Sequence, residues 1–163
     1  MIKGWNDVTI RVAEELERIE GETGIDRDVR TISLLSGIPE DEIWEWNVNK
    51  MGDALSGFAW ILEPVVPVMT DCVEYQQVFR PVLDLGKMTY RQYADLNAAI
   101  PSNDRAEIMA SILAPVGGSY GKGYDMDGLK EHIRDTVSVP QYHGFFLNCL
   151  TSLLPQGSAL PRL

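Results

Sequence analysis

Apolar residues recur at helical spacing from Val8 to Ile19, at Val8, Val12, Leu16 and Ile19, with Arg11, Glu14, Glu15, Glu17 and Arg18 between them. The pattern predicts one amphipathic helix, closed by Gly21 and Gly24. A second stripe, Ile25, Val29, Ile32 and Leu35, stops at Gly37. Pro39 then stands at a first helical position, followed by Glu40, Asp41 and Glu42, whose charge suits a helix N-terminus. That short helix carries Ile43, Trp44 and Trp46. Met51, Leu55, Phe58 and Leu62 form a fourth stripe, ended by Pro64. Residues 1–64 therefore read as a helical lobe.

The pattern changes after Pro64. Between Val65 and Leu85 prolines and β-branched residues accumulate, and Val73, Tyr75, Gln77 and Phe79 alternate with Glu74 and Gln76. Residues 65–88 read as an extended or hairpin connector. Helical spacing resumes at Thr89, which with Gln92 has the spacing of a capping box, and Tyr90, Tyr93, Leu96 and Ile100 follow on one face. Pro101 to Asp104 supply a turn and a new cap. Ala106, Met109, Ala110 and Leu113 then make a stripe ended by Pro115, and Met126, Leu129, Ile133 and Val137 make another. The last helix opens at Pro140. Tyr142, Phe146, Cys149 and Leu153 line one side of it, His143, Leu147, Leu150 and Leu154 a neighbouring side, and Phe145 a third direction. A helix apolar nearly all round is buried centrally or covered by a partner, and central burial is the first expectation. Residues 89–154 thus form a second helical lobe, and 155–163, with two prolines and a glycine, read as a flexible tail. The fold expected is mainly α: two small helical lobes joined by a short extended or hairpin connector.

Composition narrows the partners. Twenty-four acidic against 14 basic residues give a net charge of −10 in 163 residues. Arg27, Arg30, Arg91 and Arg105 are scattered rather than clustered, so neither nucleic acid nor an anionic membrane is expected as a partner. The longest apolar stretch, Phe58 to Met69, is broken by Glu63, Pro64 and Pro67 and is too short to span a bilayer. Cys72 and Cys149 read as two buried thiols in a reducing, cytoplasmic setting.

The chemistry-bearing motifs fall short of their requirements. In Gly117-Gly118-Ser119-Tyr120-Gly121-Lys122-Gly123, Val116 stands where a phosphate loop needs its first glycine and Gly123 where it needs a hydroxyl. The segment reads as a connector with Tyr120 and Tyr124 as anchors. Asp125, Asp127 and Gly128 hint at a calcium loop, but no terminal bidentate glutamate follows, and an aspartate opening a helix accounts for them better. His143 and Cys149 are six apart, so a helix points them in different directions. The expectation is no catalytic residue, no metal site and no cofactor. Aromatic clusters pack cores by default, yet aromatics are also enriched at interface hot spots. On that ground Trp44, Trp46, Tyr120, Tyr124, Tyr142, Phe145 and Phe146 are the candidate partner-binding residues. Trp44 and Trp46 cannot share a helix face, so one of them should be partly exposed.

The order of segments is also familiar. Trp5-Asn6-Asp7-Val8-Thr9, the run Ile32 to Glu42, the run Met88 to Leu96, Ile112-Leu113-Ala114-Pro115, Tyr120 to Asp125 and Gly144-Phe145-Phe146-Leu147 together resemble a group of small tailed-bacteriophage proteins. These are described as tail assembly chaperones or structural-module proteins, and the resemblance spans roughly residues 5 to 154. It implies a mainly helical protein of virion morphogenesis, acting in the host cell cytoplasm. The partner implied is a phage structural protein, such as a tape-measure-like tail protein, with homo-oligomerisation open. The alternative is a stable virion component, a connector or adaptor subunit. A cysteine-dependent enzyme is the least favoured reading.

Overall fold

The computed structural model describes residues 1–153, so Leu154 and the tail read at 155–163 lie outside the described residues. The chain is mainly helical: among the described residues eight α-helices accompany one three-stranded sheet. It divides into two compact units, residues 1–66 with 135–140, and residues 67–134 with 141–153.

In the first unit, helix α1 (Ile10–Glu20) is capped by Thr9, whose hydroxyl accepts the Val12 N–H at 3.4 Å. The helix buries Ile10 and Ala13, while Val12, Leu16 and Ile19 of the expected stripe are only half-buried. Helix α2 (Ile25–Ser36) buries Val29, Ile32 and Leu35, but Ile25 at its start is exposed. Its end is set by Gly37, left-handed at φ 75°, whose N–H returns to the Ser33 carbonyl at 2.8 Å. A β-carbon would be strained there, which is why glycine stops this helix. Pro39 caps helix α3 (Glu40–Trp44) from outside rather than occupying its first turn. Helix α4 (Val48–Gly57) starts at Asn47, whose Oδ1 accepts the Lys50 N–H at 2.9 Å. A single turn, Ala59–Leu62, follows, and Leu62 is exposed, so the fourth stripe ends at Phe58.

Two apolar clusters hold this unit. Val29, Ile32 and Ile43 pack with Ile38, Met51, Leu55 and Phe58. Val8, Ala13 and Val139 pack with Trp5, Leu16 and Trp60. The indoles of Trp5 and Trp60 meet edge to face at 5.4 Å. Val139 belongs here because backbone bonds hold its segment: the Ile10 N–H donates to the Val137 carbonyl at 3.0 Å, and the Val139 N–H to the Val8 carbonyl at 2.8 Å. Residues 135–140 therefore complete the first unit, although sequence order placed them in the C-terminal lobe.

The second unit is built on a hairpin. Strands β1 (Val73–Tyr75) and β2 (Gln77–Pro81) pair antiparallel with Val73 opposite Phe79, and both are buried. Strand β3 (Leu113–Pro115) pairs with the other edge of β2, setting Arg80 against Ala114. Residues 73–81 are thus structural members of this unit and not merely a connector.

Helix α5 (Tyr90–Ser102) departs from its expected face. Thr89 does cap it, accepting the Gln92 N–H at 3.1 Å, but the Gln92 side chain does not close a capping box. It is buried, and its Nε2 donates to the Ile112 and Leu113 carbonyls at 3.1 and 3.5 Å. Gln92 and Ala99 therefore face inward. Tyr90, Tyr93 and Ile100 face outward, at 86%, 48% and 56% exposed. Helix α6 (Arg105–Ile112) starts at Asp104, whose Oδ1 accepts the Glu107 N–H at 2.9 Å, and Ala106 and residues 108–112 are all buried. Among the described residues the most fully buried helix is α6, not the last one. Helix α7 (Met126–Thr136) buries Leu129 and Ile133. Its Lys130 and Arg134 reach Glu107 and Asp104 at 3.1 and 2.7 Å. Burial alone would disfavour the Lys130 charge, but Glu107 and Asp127 outweigh it and hold the amine above its usual pKa.

Helix α8 (Val139–Leu153) buries Phe145 and Cys149 and leaves His143 and Leu147 exposed. Gly144 lies on its inner side. A β-carbon there would stand 1.9 Å from the Val68 carbonyl oxygen and 2.9 Å from the Met69 nitrogen. The extended segment before β1 thus crosses α8 backbone to backbone, which only glycine permits.

Candidate functional site

The exposed sides of α5 and α8 border a cleft of about 680 Å³ within the second unit. Ile100 of α5, Arg105 and Ile108 of α6, and Asn103 between these helices form one side. Tyr142, His143, Phe146 and Leu147 of α8 form the other, and Pro67 also lines the cleft. Asn103 is left-handed at φ 55°, and its N–H donates to the Ile100 carbonyl at 3.2 Å. That reversal turns the chain so that Ile100 and Ile108 serve the same hollow. The Tyr142 and Phe146 rings lie 5.3 Å apart, one helical turn from each other.

The lining is mainly apolar, with Arg105 among its polar members. Burial lowers the His143 pKa from its ordinary range, and the Arg105 charge lowers it further. Burial raises the Tyr142 phenol, with Arg105 opposing and Asp104 assisting. At neutral pH the imidazole is therefore uncharged and the tyrosine protonated. The walls present apolar groups and hydrogen-bond donors, not a nucleophile beside a base.

The cysteine reading turns on Cys149. This thiol is 3% exposed and burial pushes its pKa up to about 11, whereas His143 lies on the exposed side of α8. At neutral pH it is a protonated thiol and a poor nucleophile. Cys72, half-buried, is also raised, by burial and by the adjacent Asp71. We expect Cys149 to react with a disulfide reagent about a hundredfold more slowly than an unperturbed thiol, and fully once denaturant is added. Stopped-flow thiol titration of the Cys72→Ser protein checks this, and a fast phase in native buffer would contradict it.

The seven candidate contact residues separate by location. Trp44 is 48% exposed on α3, and Trp46 is half-buried with the Lys50 amine 3.9 Å above its ring. Both belong to the first unit. Tyr120 is a correction: it is buried, and its hydroxyl donates to Asp95 Oδ2 at 2.9 Å, so it is an internal anchor. Tyr124 is half-buried, its ring edge-on to Phe79 at 4.8 Å and its hydroxyl accepting the Gly121 N–H at 2.9 Å. Phe145 is fully buried and unavailable to a partner. Tyr142 and Phe146 are brought together, in the cleft. Sequence reasoning missed Ile100, Arg105, Ile108 and Leu147 as cleft residues. The available signal was the unusual apolar breadth of α8.

The remaining motifs have structural roles. Asp125 Oδ1 accepts the Asp127 N–H at 3.1 Å and opens α7, and Asp127 pairs with Lys130 at 3.7 Å. His132 stacks against Tyr75 at 5.2 Å. Among the described residues no group of histidines, cysteines and carboxylates is placed to hold a metal ion, and no helix is long and apolar enough to cross a membrane. Comparison with protein-family models, with curated proteins and with solved structures found no match for this chain.

Proposed function

We propose that this chain works by holding another polypeptide, and that it serves tailed-phage morphogenesis as an assembly chaperone for a tape-measure-like tail protein in the host cytoplasm. The observation that carries the binding reading is the cleft of the second unit. Ile100 and Leu147 stand 56% and 46% exposed beside it, and Ile108 of α6 lines it. Apolar surface gathered in this way is the mark of an interaction site rather than of a solvated face. Tyr142 and Phe146 supply the aromatic anchors from which interface energy is usually drawn. The tail-protein assignment is supported by the segment order shared with small phage proteins and by the acidity, which keeps a chain carrying an open apolar face soluble.

Co-expression with the long tail protein tests this reading. The tail protein should move into the soluble fraction and co-purify with this chain. Mass spectrometry of intact virions should then lack the chain, since a chaperone leaves the finished particle. A fixed copy number in virions would instead assign it to the particle as a connector or adaptor subunit.

A further inference from the structure

We infer that the second unit holds a small-molecule site at the other end of α5 from the cleft, for an uncharged ligand with an N–H donor at its inner end and an apolar body. This inference does not depend on the polypeptide-binding reading. A cavity of about 610 Å³ lies between the chain leaving β2, the start of α5 and the loop after β3. Sites for small ligands are of this size and hold a few well-placed polar groups.

The inner polar group is Gln92, which is 1% exposed and lines the cavity. Its Nε2 donates to the Ile112 and Leu113 carbonyls at 3.1 and 3.5 Å, which fixes how the amide is turned. Its Oε1 accepts no hydrogen bond from the described residues, yet it is not sealed from solvent as the Trp46 and Trp60 indole nitrogens are. That oxygen is what Gln92 presents to the cavity. The other polar groups are committed or lie at the mouth. Tyr120, also buried, spends its hydroxyl on Asp95 at 2.9 Å. Asp84 accepts the Gly86 N–H at 2.9 Å and stands 3.7 Å from the Lys87 amine, and both of these charged side chains are exposed. Ser119 is exposed as well.

A single fixed acceptor selects what can enter. A carboxylate would bring oxygen against oxygen. An ammonium can donate, but it would leave water for a neutral amide, and the Asp84 charge is already offset by Lys87. A water would find one fixed partner where buried waters hold about three. A neutral N–H satisfies Oε1 without burying charge. Pro81, Leu83, Ala114 and the Tyr120 ring are there to receive a carbon body.

The test follows the full chain by heteronuclear NMR during titration with benzamide, methyl benzoate, benzoate and benzylammonium. Benzamide should bind with a Kd of about 1 mM, as suits so small a ligand, and shift the Gln92 side-chain amide and the backbone signals of Leu83 and Ser119. Methyl benzoate is close in size but has no N–H, and should bind about tenfold more weakly. Neither charged probe should bind better than the ester. Ser119→Trp, at an exposed loop position, should close the mouth and abolish the benzamide shifts at an unchanged unfolding midpoint. Equal binding of benzamide and the ester, tighter binding of a charged probe, benzamide shifts that survive Ser119→Trp, or no binding at all would each overturn the inference. Should the tryptophan variant fail to fold, the ranking of the probes decides alone.

Discussion

Placing a methyl group on Gly144 should cost about 3 kcal/mol of stability. The substituted carbon would stand 1.9 Å from the Val68 carbonyl oxygen and 2.4 Å from its carbon. Both are backbone atoms, so no side-chain rotation relieves the overlap, and either α8 or the 67–72 segment must move away. Displacing that segment loosens the approach to β1, whose Val73 is buried opposite Phe79. In a chain of this length the loss corresponds to a midpoint lowered by roughly 6 to 12 °C. Gly52 is the internal control. It lies inside α4 with nothing within 4 Å of its added β-carbon, so alanine there should stabilise by about 0.5 to 1 kcal/mol. Thermal and urea unfolding of the two variants reads both effects. Equal midpoints would show that the crossing over α8 is not tight.

The second large effect contrasts two neighbouring phenylalanines. Phe145 is fully buried, so Phe145→Ala removes a core ring and should cost about 3 to 5 kcal/mol of stability. Phe146 is half-buried and lines the cleft, so Phe146→Ala should leave most of the stability in place. Its expected loss lies in partner binding, by about 2 kcal/mol or roughly thirtyfold in affinity, as for an aromatic anchor at the centre of an interface. Unfolding curves and binding isotherms of both variants check the separation. A Phe146→Ala protein that binds its partner normally would remove the cleft from the account.

Much of the first unit was legible because its signals are local. Val29, Ile32 and Leu35 recur at helical spacing and are the buried positions of α2, and Gly37 stops that helix with the one residue type suited to its backbone angle. The requirement for one exposed tryptophan in the pair Trp44 and Trp46 follows from geometry alone, and the structure exposes Trp44. The mainly helical class follows from the same periodicities. Less legible were features fixed by distant partners. Strand β3 reads as the end of a helix until β2 is placed beside it. The residues at 135–140 read as the continuation of a C-terminal helix until Val8 and Ile10 take up their backbone groups.

The candidate site was hidden by a correct periodicity with the wrong orientation. Tyr90, Tyr93, Leu96 and Ile100 do share a face of α5, but the opposite face goes inward because the Gln92 amide satisfies carbonyls at the α6–β3 junction. Spacing reports which residues travel together and not which side the fold covers. Likewise the breadth of apolar positions on α8 marked an unusual helix. It did not show that Phe145 and Cys149 face the core while Tyr142, Phe146 and Leu147 face an open cleft. A glycine midway along that helix was the one local sign of close backbone approach.

The central claim is that the cleft of the second unit, and not another exposed apolar residue, grips the client. Photo-crosslinking during co-expression with the long tail protein tests it most directly. One benzophenone side chain would replace Leu147 at the cleft, and another Val48, which is 87% exposed on the first unit. A covalent adduct with the tail protein is expected from position 147, with little or none from position 48. Adducts of equal yield from both positions, or none from position 147, would contradict the account.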